Sequence, residues 1–294
     1  MGRLLDKIAQ GEILVSDGAW GTLLQEKGLK PGECPELWNI ENRDAVLDVA
    51  RSYVLAGADM IETNSFGGSL FKLQHYGLED RVYELNRAAA EISREACGAD
   101  RIVLGSVGPT GKILMMGEVT ADELSEAFRQ QSMALADGGA DAIVIETMSD
   151  LEEASLAIRA ASEHTGLDVI CTMTFEKTVD GEYRTMMGVS PSEMASSLIE
   201  AGADILGSNC GNGTEGMISV LREIRKANPE IPVLIQGNAG APEFRDGKTV
   251  FNETPQVTAE FIPALVDGGA NIIGGCCGTT PDHIARIGEI IRSN

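Results

Sequence analysis

Short apolar segments recur along the chain and alternate with amphipathic segments in which apolar positions return every three or four residues. The apolar segments are rich in aliphatic and β-branched residues, which predicts eight strands: 13–17, 60–65, 102–107, 142–147, 169–175, 205–209, 233–238 and 272–275. Helical periodicity separates most of them, for example at 82–97, 124–136, 194–201 and 217–226. This alternation predicts an α/β fold with a parallel sheet.

A cassette of small residues precedes four of the predicted strands. It reads Ala-Gly-Ala-Asp at 56–59 and 201–204, Gly-Gly-Ala-Asp at 138–141 and Gly-Gly-Ala-Asn at 268–271. Its glycine is placed to end the preceding helix in the left-handed conformation before the chain enters a strand. Because no Gly-x-Gly-x-x-Gly turn marks the switch point of an open sheet, we expect a parallel (β/α)8 TIM barrel that forms a single domain over residues 1–294.

Polar residues follow or end most of the predicted strands. They are Asp17, Glu62, Thr63, Asn64, Ser106, Glu146, Thr147, Asn209, Cys210, Asn238, Cys276 and Cys277. In a (β/α)8 barrel the C-terminal ends of the strands form one face, and that face carries the catalytic groups. The sequence therefore predicts that residues far apart along the chain meet at one site.

Composition and charge narrow the class of protein. A chain of 294 residues with 43% hydrophobic content is long enough for one large α/β domain. A formal net charge of −22 disfavours nucleic acids and anionic membranes as partners, and it serves either solubility or attraction of a basic protein. No apolar run approaches the roughly 20 residues of a membrane helix, and no signal peptide is apparent, so we expect a cytoplasmic protein.

Three of the six cysteines are flanked by glycine: Cys210, Cys276 and Cys277. Neighbouring residues of a strand point to opposite faces, so Cys276 and Cys277 can reach one ion only if the chain leaves strand geometry. Three glycines permit that departure: Gly274, Gly275 and Gly278. We interpret the trio as thiolate ligands of a soft metal, zinc. The other cysteines lie in apolar or amphipathic segments and are interpreted as packing residues: Cys34, Cys97 and Cys171.

Three thiolates would make zinc a poor Lewis acid for water, because the ligand charge exceeds that of the ion. The same ligands suit a substrate thiol, whose ordinary pKa of about 8.5 keeps it mostly protonated until it binds the metal. We therefore expect alkyl transfer to a thiol.

An amino-acid thiol also needs carboxylates for its ammonium group, and Asp17 and Glu146 lie on the same rim. Their alternative roles are a helix cap for Asp17 and an ion pair with arginine for Glu146, whereas Asn209 and Asn238 could be turn residues.

Several segments resemble the signature blocks of the homocysteine S-methyltransferase family. They are 17–22, 62–66, 105–109, 146–147, 209–210 and 274–281, the last of which, Gly-Gly-Cys-Cys-Gly-Thr-Thr-Pro, is the most specific. The resemblance implies a zinc-dependent β/α barrel that methylates homocysteine to methionine. The implied zinc ligands are Cys210, Cys276 and Cys277. The expected substrate-binding residues are Asp17, Glu146, Asn238, Ser106 and Asn64, with Asn238 implied to lie near the metal.

The methyl donor differs within this family. Residues 71–79 are similar to the homocysteine-binding module of cobalamin-dependent methionine synthase, whose folate, cobalamin and reactivation modules are not found in this sequence. The resemblance implies that methylcobalamin on a separate corrinoid protein or module is the donor. Betaine and S-methylmethionine are the alternatives, since Trp20, Trp38 and Tyr76 could form an aromatic cage for their cations.

Two further classes compete with methyl transfer. A zinc hydrolase would need a His-x-His pair on the first strand, and the three histidines, His75, His164 and His283, are scattered and expected to be structural. An inactive barrel that acts as a scaffold need not retain Asp17, Glu146 and the thiol trio. The lack of that histidine pair therefore disfavours the hydrolase, and the presence of Asp17, Glu146 and the three thiols disfavours the scaffold.

Overall fold

The computed structural model describes residues 2–245 and 248–293, so the predicted domain extends beyond the described residues at both ends. Eight parallel strands form one sheet. We label them β1 to β8: Leu14–Val15, Met60–Glu62, Ile102–Val107, Ala142–Met148, Asp168–Met173, Ile205–Gly213, Val233–Asn238 and Ile272–Gly275. All eight predicted strands are present, which confirms the predicted α/β class and the parallel barrel.

The strand ends differ from the prediction where the chain turns into the site. β2 stops at Glu62 because the next residues form tight turns, with the Ser65 N–H donating to the Thr63 carbonyl. β6 instead continues to Gly213, four residues beyond the predicted end at 209. Both differences involve polar residues at the C-terminal ends of strands, where alternation of apolar positions gives no information.

Helices cover the outside of the sheet. We label the α-helices α1 to α12: Arg3–Ala9, Trp20–Glu26, Trp38–Glu41, Arg43–Leu55, Leu70–Leu73, Val82–Cys97, Ala121–Asp137, Leu151–Thr165, Pro191–Ala201, Thr214–Ala227, Pro255–Asp267 and Pro281–Ser293. Short 3-10 helices lie at Pro35–Leu37, Gln74–Tyr76, Glu79–Arg81 and Leu114–Met116. In each small-residue cassette one glycine adopts positive φ, as predicted: Gly57, Gly139, Gly202 and Gly269.

The strand order around the sheet is β1-β8-β7-β6-β5-β4-β3-β2. Three hydrogen bonds join the outer strands β1 and β2. The Asp59 N–H donates to the Val15 carbonyl at 2.8 Å, and the Val15 N–H donates to Asp59 Oδ2 at 2.9 Å. The Glu62 N–H donates to Asp17 Oδ2 at 2.9 Å. We call this junction the β1–β2 seam. Carboxylates accept two of its three bonds, so side chains complete the barrel where backbone pairing is short.

The inside of the barrel is filled by apolar side chains of the strands, among them Leu14, Met60, Leu104, Val144, Ile170 and Leu234. Helix α1 closes the N-terminal end, where Leu4 is fully buried. Asp168 at the start of β5 holds this helix by accepting hydrogen bonds from the N–H groups of Gly2 and Leu5 at 3.1 and 3.2 Å. Because this end is plugged, the polar residues can meet only at the opposite face.

Two antiparallel hairpins extend the loops on that C-terminal face. Glu176–Lys177 pairs with Tyr183–Arg184 after β5, and Glu243–Arg245 pairs with Lys248–Val250 after β7. Within the described part of the chain, no helix is long and apolar enough to cross a membrane.

Candidate metal centre and substrate pocket

Cys210 enters the site through a bulge in β6. Asn209 pairs with Gln236 and Gly213 pairs with Asn238, so β6 advances four residues while β7 advances two. Cys210 takes a left-handed backbone conformation within this bulge, with φ of 59°. A bulge re-aims a side chain that regular alternation would fix, and bulges are frequent at barrel rims beside active sites. The irregular backbone therefore explains how the thiol of Cys210 reaches the site.

Cys276 and Cys277 occupy a turn directly after β8. The Thr279 N–H donates to the Cys276 carbonyl at 3.1 Å, and Gly278 has a φ of 78°. Of the three glycines predicted to release the chain from strand geometry, only Gly278 does so. Gly274 and Gly275 stay in the strand and serve close packing, since an added Cβ would lie 2.7 Å from Ser16 Cβ or 2.3 Å from Thr279 Oγ1.

The three thiols meet at one point, with all Sγ atoms within 4.8 Å of one another. The Sγ atoms of Cys210 and Cys277 are 3.9 Å apart. Tetrahedral zinc with bonds of about 2.3 Å separates its sulfur ligands by about 3.8 Å, so the trio fits one such ion. This spacing is too long for a disulfide bond, whose sulfur atoms lie about 2.0 Å apart.

The ionisation of the thiols is mutually dependent. Hydrogen bonds from the Cys276 and Cys277 thiols lower the pKa of Cys210 to about 2. The same contacts with Cys210 raise the pKa of Cys276 and raise that of Cys277 to about 12. One thiolate therefore forms readily, while a second and a third would add like charges at contact distance. All three can be ionised together only if a cation balances them, which is the condition that a bound metal would meet.

Glu146 enters the site through a second bulge. Ile145 pairs with Cys171 and Met148 with Met173, so β4 carries one extra residue against β5, and Thr147 has a φ of 60°. The bulge turns the Glu146 carboxylate inward, where it is 7% exposed. Burial raises the pKa of Glu146 to about 7, and the charges of Asp17 and Cys210 add to that effect. Among the described residues, no arginine forms an ion pair with Glu146, so the alternative role of pairing with arginine is not supported.

Two neighbours fix the Glu146 carboxylate. The Ser106 hydroxyl donates to Oε1 at 2.5 Å, and Asn209 Nδ2 donates to Oε2 at 3.1 Å. Asn209 Nδ2 also lies 3.7 Å from the sulfur of Cys276, while Asn209 Oδ1 accepts from the Thr147 N–H at 2.8 Å. Asn209 therefore connects the carboxylate to the thiol cluster, and Ser106, which also lines the cavity, holds the other carboxylate oxygen.

Asp17 lies behind the wall of the pocket and is fully buried. Its Oδ2 accepts hydrogen bonds from Trp20 Nε1 and from the Glu62 N–H, both at 2.9 Å, and its Oδ1 accepts a long bond from Ser16 at 3.4 Å. It does not cap α2, because that helix begins after Ala19 without a side-chain cap. Burial raises the pKa of Asp17 to about 7 against the effect of these donors. Asp17 is thus held against Trp20 and β2.

Asn64 and Asn238 occupy different surroundings. Asn64 lines the pocket, but its Nδ2 donates to the Pro35 carbonyl at 2.7 Å and to Asn39 Oδ1 at 2.9 Å, which anchors the loop after β2. Asn238 ends β7, is 3% exposed, and has a hydrogen bond with Cys210 that helps lower the pKa of that thiol. Asn238 Oδ1 has no hydrogen-bond partner among the described residues.

A cavity of about 270 Å³ opens beside the thiols. Its walls include Trp20, Phe66, Glu36, Glu62, Ser106, Glu146, Gln236 and the three clustered cysteines. Among the described residues that line it, none is lysine, arginine or histidine. A small pocket with three carboxylates, three thiols and no cationic side chain favours a small ligand that carries a positive group and a sulfur atom.

Comparison with known proteins identifies the family to which this chain belongs. The family model described as homocysteine S-methyltransferase matches residues 14–291. The chain belongs to the homocysteine S-methyltransferase family. It is 33% identical to the methionine synthases of Mycobacterium leprae and Mycobacterium tuberculosis, over 98% and 99% of its own length. The chain spans 25% of the length of each of these relatives.

Solved structures of a family member have the same fold. The metallated form of the homocysteine methyltransferase MmuM from Escherichia coli superposes with a TM-score of 0.78 at 25% identity, covering 97% of each chain. The oxidized form gives a TM-score of 0.77 at 25% identity over 94% of this chain and 95% of that one. The chain thus shares its fold with solved homocysteine methyltransferase structures over nearly its whole length.

The predicted aromatic cage does not assemble. Of its three expected members, only Trp20 lines the cavity, while Trp38 and Tyr76 border a separate surface hollow near Cys34. Phe66, which the sequence did not single out, lies on the cavity wall instead.

The packing interpretation of the other cysteines agrees with their burial: Cys34, Cys97 and Cys171 are 5%, 4% and 0% exposed. The histidine nearest in sequence to Cys276 and Cys277 is His283. It makes hydrogen bonds with the Thr280 N–H and with the Glu253 carbonyl, so it has a structural role.

The sequence analysis did not propose three residues of this site as substrate-binding groups: Glu62, Asn209 and Gln236. Gln236 carried a usable signal, because it interrupts the buried apolar strand Val-Leu-Ile-Gln-Gly-Asn. A polar side chain on such a strand is buried and needs partners. Asn209 was noted at the end of a predicted strand beside Cys210, but that position is equally compatible with a turn.

Proposed function

We propose that this enzyme transfers a methyl group to the thiol of L-homocysteine and forms methionine, with zinc held by Cys210, Cys276 and Cys277. The observation that carries the proposal is the meeting of three thiols beside a small acidic cavity that lacks lysine, arginine and histidine. Zinc bound there would lower the pKa of a coordinated substrate thiol, so that sulfur becomes nucleophilic near neutral pH. The 33% identity to two methionine synthases supports the same reaction.

The protein side chains orient the acceptor. Glu146, fixed by Ser106 and Asn209, is positioned to accept hydrogen bonds from the substrate ammonium group. Asp17 remains a predicted substrate-binding residue whose carboxylate supports Trp20 and the end of β2. Asn64 and Asn238 are proposed to shape the pocket and the metal side of the site, respectively. In the transfer, a carbon–sulfur bond forms as the bond between the methyl carbon and the donor breaks, and that bonding pair leaves with the donor.

We propose a methylated corrinoid on a separate protein or module as the donor. A corrinoid ring is too large for a cavity of about 270 Å³, so its methyl group must be presented from outside. The loops after β3, β5 and β7 offer a surface for such a carrier. They expose the apolar side chains Met115, Met116, Val179, Met186 and Phe244, which are between 70% and 103% exposed. Large apolar side chains exposed on several loops of one face are compatible with an interaction site.

Betaine or S-methylmethionine is the second candidate donor. One observation favours it: the aromatic residues Trp20 and Phe66 line the cavity. Aromatic rings attract quaternary ammonium and sulfonium groups.

Methionine formation in parallel reactions tests the proposal. Zinc-loaded protein is incubated with L-homocysteine and with methylcobalamin, betaine or S-methylmethionine, each labelled at the methyl group, and labelled methionine is measured by mass spectrometry. We expect product with methylcobalamin. Product only with betaine or S-methylmethionine would refute the corrinoid donor, and no product with any donor would refute methyl transfer to homocysteine.

The substitution Glu146→Gln is expected to raise the KM for homocysteine about tenfold or more while zinc remains bound, because a charged acceptor for the ammonium group is lost. Glutamine keeps an oxygen for the Ser106 hydroxyl, so the fold should change little. Steady-state kinetics and metal analysis of the same preparation measure both quantities. An unchanged KM would return Glu146 to a purely structural role.

A further inference from the structure

The turn that carries Cys276 and Cys277 is joined by its backbone to the loop after β7. The Cys276 N–H donates to the Gly237 carbonyl at 2.8 Å, and the Ala239 N–H donates to the Cys277 carbonyl at 3.0 Å. The Ala239 carbonyl in turn accepts from the Glu253 N–H at 3.0 Å. The second hairpin lies between Ala239 and Glu253. The chain therefore leaves the thiol pair after Ala239 and returns to it at Glu253.

Residues 251–253, which we call the strap, pack against the same turn. The Phe251 ring lies so close to Gly278 that a Cβ added to this glycine would be 2.2 Å from Cγ of the ring. Gly278 directly follows Cys277 and has a φ of 78°, so glycine is needed both for the backbone conformation and for the contact. Close packing of Phe251 thus attaches the strap to the turn beside the second of the two adjacent thiols.

His283 provides a further attachment of the strap. Its Nε2 lies 3.0 Å from the Glu253 carbonyl, and its Nδ1 lies 3.1 Å from the Thr280 backbone nitrogen. A backbone N–H only donates and a carbonyl only accepts, so Nδ1 is the acceptor and Nε2 carries the proton. The ring is 5% exposed, and burial lowers the pKa of His283, which favours the neutral form that this pattern requires. Both ring nitrogens are therefore used, one for α12 and one for the strap.

His283 also occupies the position of a helix cap. Thr280 directly precedes α12, and His283 is the third residue of that helix. A side chain at this position that accepts from the N–H of the residue before the helix forms half of a capping box, a task that glutamate or glutamine usually performs and that Glu123 performs in α7. Histidine adds a donor that glutamate lacks, and this donor meets the Glu253 carbonyl. The residue type therefore indicates a role beyond the start of α12.

We infer that His283 and Phe251 are positioning residues that hold the strap on the turn after β8 and slow the loss of the bound metal. A metal leaves a protein site when a ligand moves away, and local opening of a turn is limited by the contacts that fasten it. The strap is fastened through Ala239, Gly278 and His283. The inference rests on the proposed zinc site and deepens it, because it assigns residues outside the ligand set that determine how long zinc stays bound.

The rate of zinc loss tests this inference. Zinc-loaded protein is mixed with excess EDTA, and the zinc that remains bound is measured by atomic spectroscopy after desalting at set times. Wild-type protein is compared with His283→Ala, His283→Gln, Phe251→Ala and Glu123→Ala. Glutamine carries an oxygen and an N–H donor that can replace the two ring nitrogens, so His283→Gln is the conservative variant. Glu123→Ala is the matched control, because it removes the same half of a capping box from α7.

We expect zinc to leave His283→Ala and Phe251→Ala about tenfold faster than wild type, as for the loss of one buried interaction. His283→Gln and Glu123→Ala should stay within about threefold of wild type. Phe251→Ala leaves the cap of α12 intact, so an unchanged rate in this variant would overturn the inference even if His283→Ala does not fold.

Two other results would also contradict a role of the strap. Zinc loss from Glu123→Ala as fast as from His283→Ala would show that any weakened helix start has this effect. Equally fast loss from His283→Gln would show that the two hydrogen bonds of His283 do not retain the metal. Wild-type protein that takes up no zinc would instead refute the proposed metal site itself, which separates the failure of the two proposals.

Discussion

Replacement of Cys276 by alanine is expected to abolish zinc binding and methyl transfer together. The variant retains two of the three clustered thiols, and a zinc site with two protein ligands is far weaker than one with three or four. We expect methionine formation to fall at least about thirtyfold, because an uncoordinated thiol with a pKa of about 8.5 is only about 3% thiolate at pH 7. Metal content by atomic spectroscopy and labelled methionine by mass spectrometry are measured on one preparation.

Cys97→Ala is the matched control for this experiment. Cys97 is likewise a free cysteine, but it is buried, ends helix α6 and packs in the core between helices and strands. Its removal should lower stability slightly and leave metal content unchanged. If Cys276→Ala retained full activity, zinc ligation by this trio would be wrong. If it lost activity but retained zinc, Cys276 would have a role other than metal binding.

The free energy of unfolding is expected to fall between about pH 4 and pH 7 in wild-type protein relative to the Asp17→Asn variant. Burial raises the pKa of Asp17 to about 7 in the folded protein, from an ordinary value near 4. The folded state therefore holds this proton more tightly than the unfolded state does. Its contribution is fully present below about pH 4 and is lost as pH rises through about 7.

The shift in the pKa of Asp17 sets an upper limit on this loss of unfolding free energy. About three pKa units correspond to at most about 4 kcal/mol, and we expect about 2 kcal/mol once the structure relaxes. Urea denaturation of the metal-free protein at several pH values measures it. Asp6→Asn on the exposed side of α1 is the control and should follow the wild type. Parallel pH curves for wild type and Asp17→Asn would show that Asp17 is ionised in the folded protein.

The barrel could be predicted because its determinants are local. Alternating apolar segments define the strands, and the cassette glycines at 57, 139, 202 and 269 end helices in the left-handed conformation. The thiol trio could also be singled out, since glycine-flanked cysteines at strand ends fit poorly with simple packing. The meeting of the three Sγ atoms agrees with this interpretation.

The finer arrangement of the site depends on backbone irregularities that leave no periodic trace. Cys210 and Thr147 adopt positive φ inside bulges, although neither residue type favours that conformation. Asp17 follows β1 directly, yet its carboxylate accepts hydrogen bonds from Trp20 and from the backbone of β2 and is not among the described residues that line the cavity. Trp38 and Tyr76 border a different hollow from the cavity that Trp20 lines. These conformations depend on contacts between segments that are distant in the sequence, so local sequence patterns do not predict them.

The β1–β2 seam is the place where a bound ligand would stabilise the closure of the barrel. Pairing at this junction is short, and two of its three hydrogen bonds end on carboxylates whose neighbours line the pocket. A ligand that contacts both the pocket wall at β2 and the thiols after β8 would bridge the strands on either side of β1. If it binds better when the seam is closed, it would stabilise the closed seam by an amount that grows with the logarithm of its concentration relative to its dissociation constant.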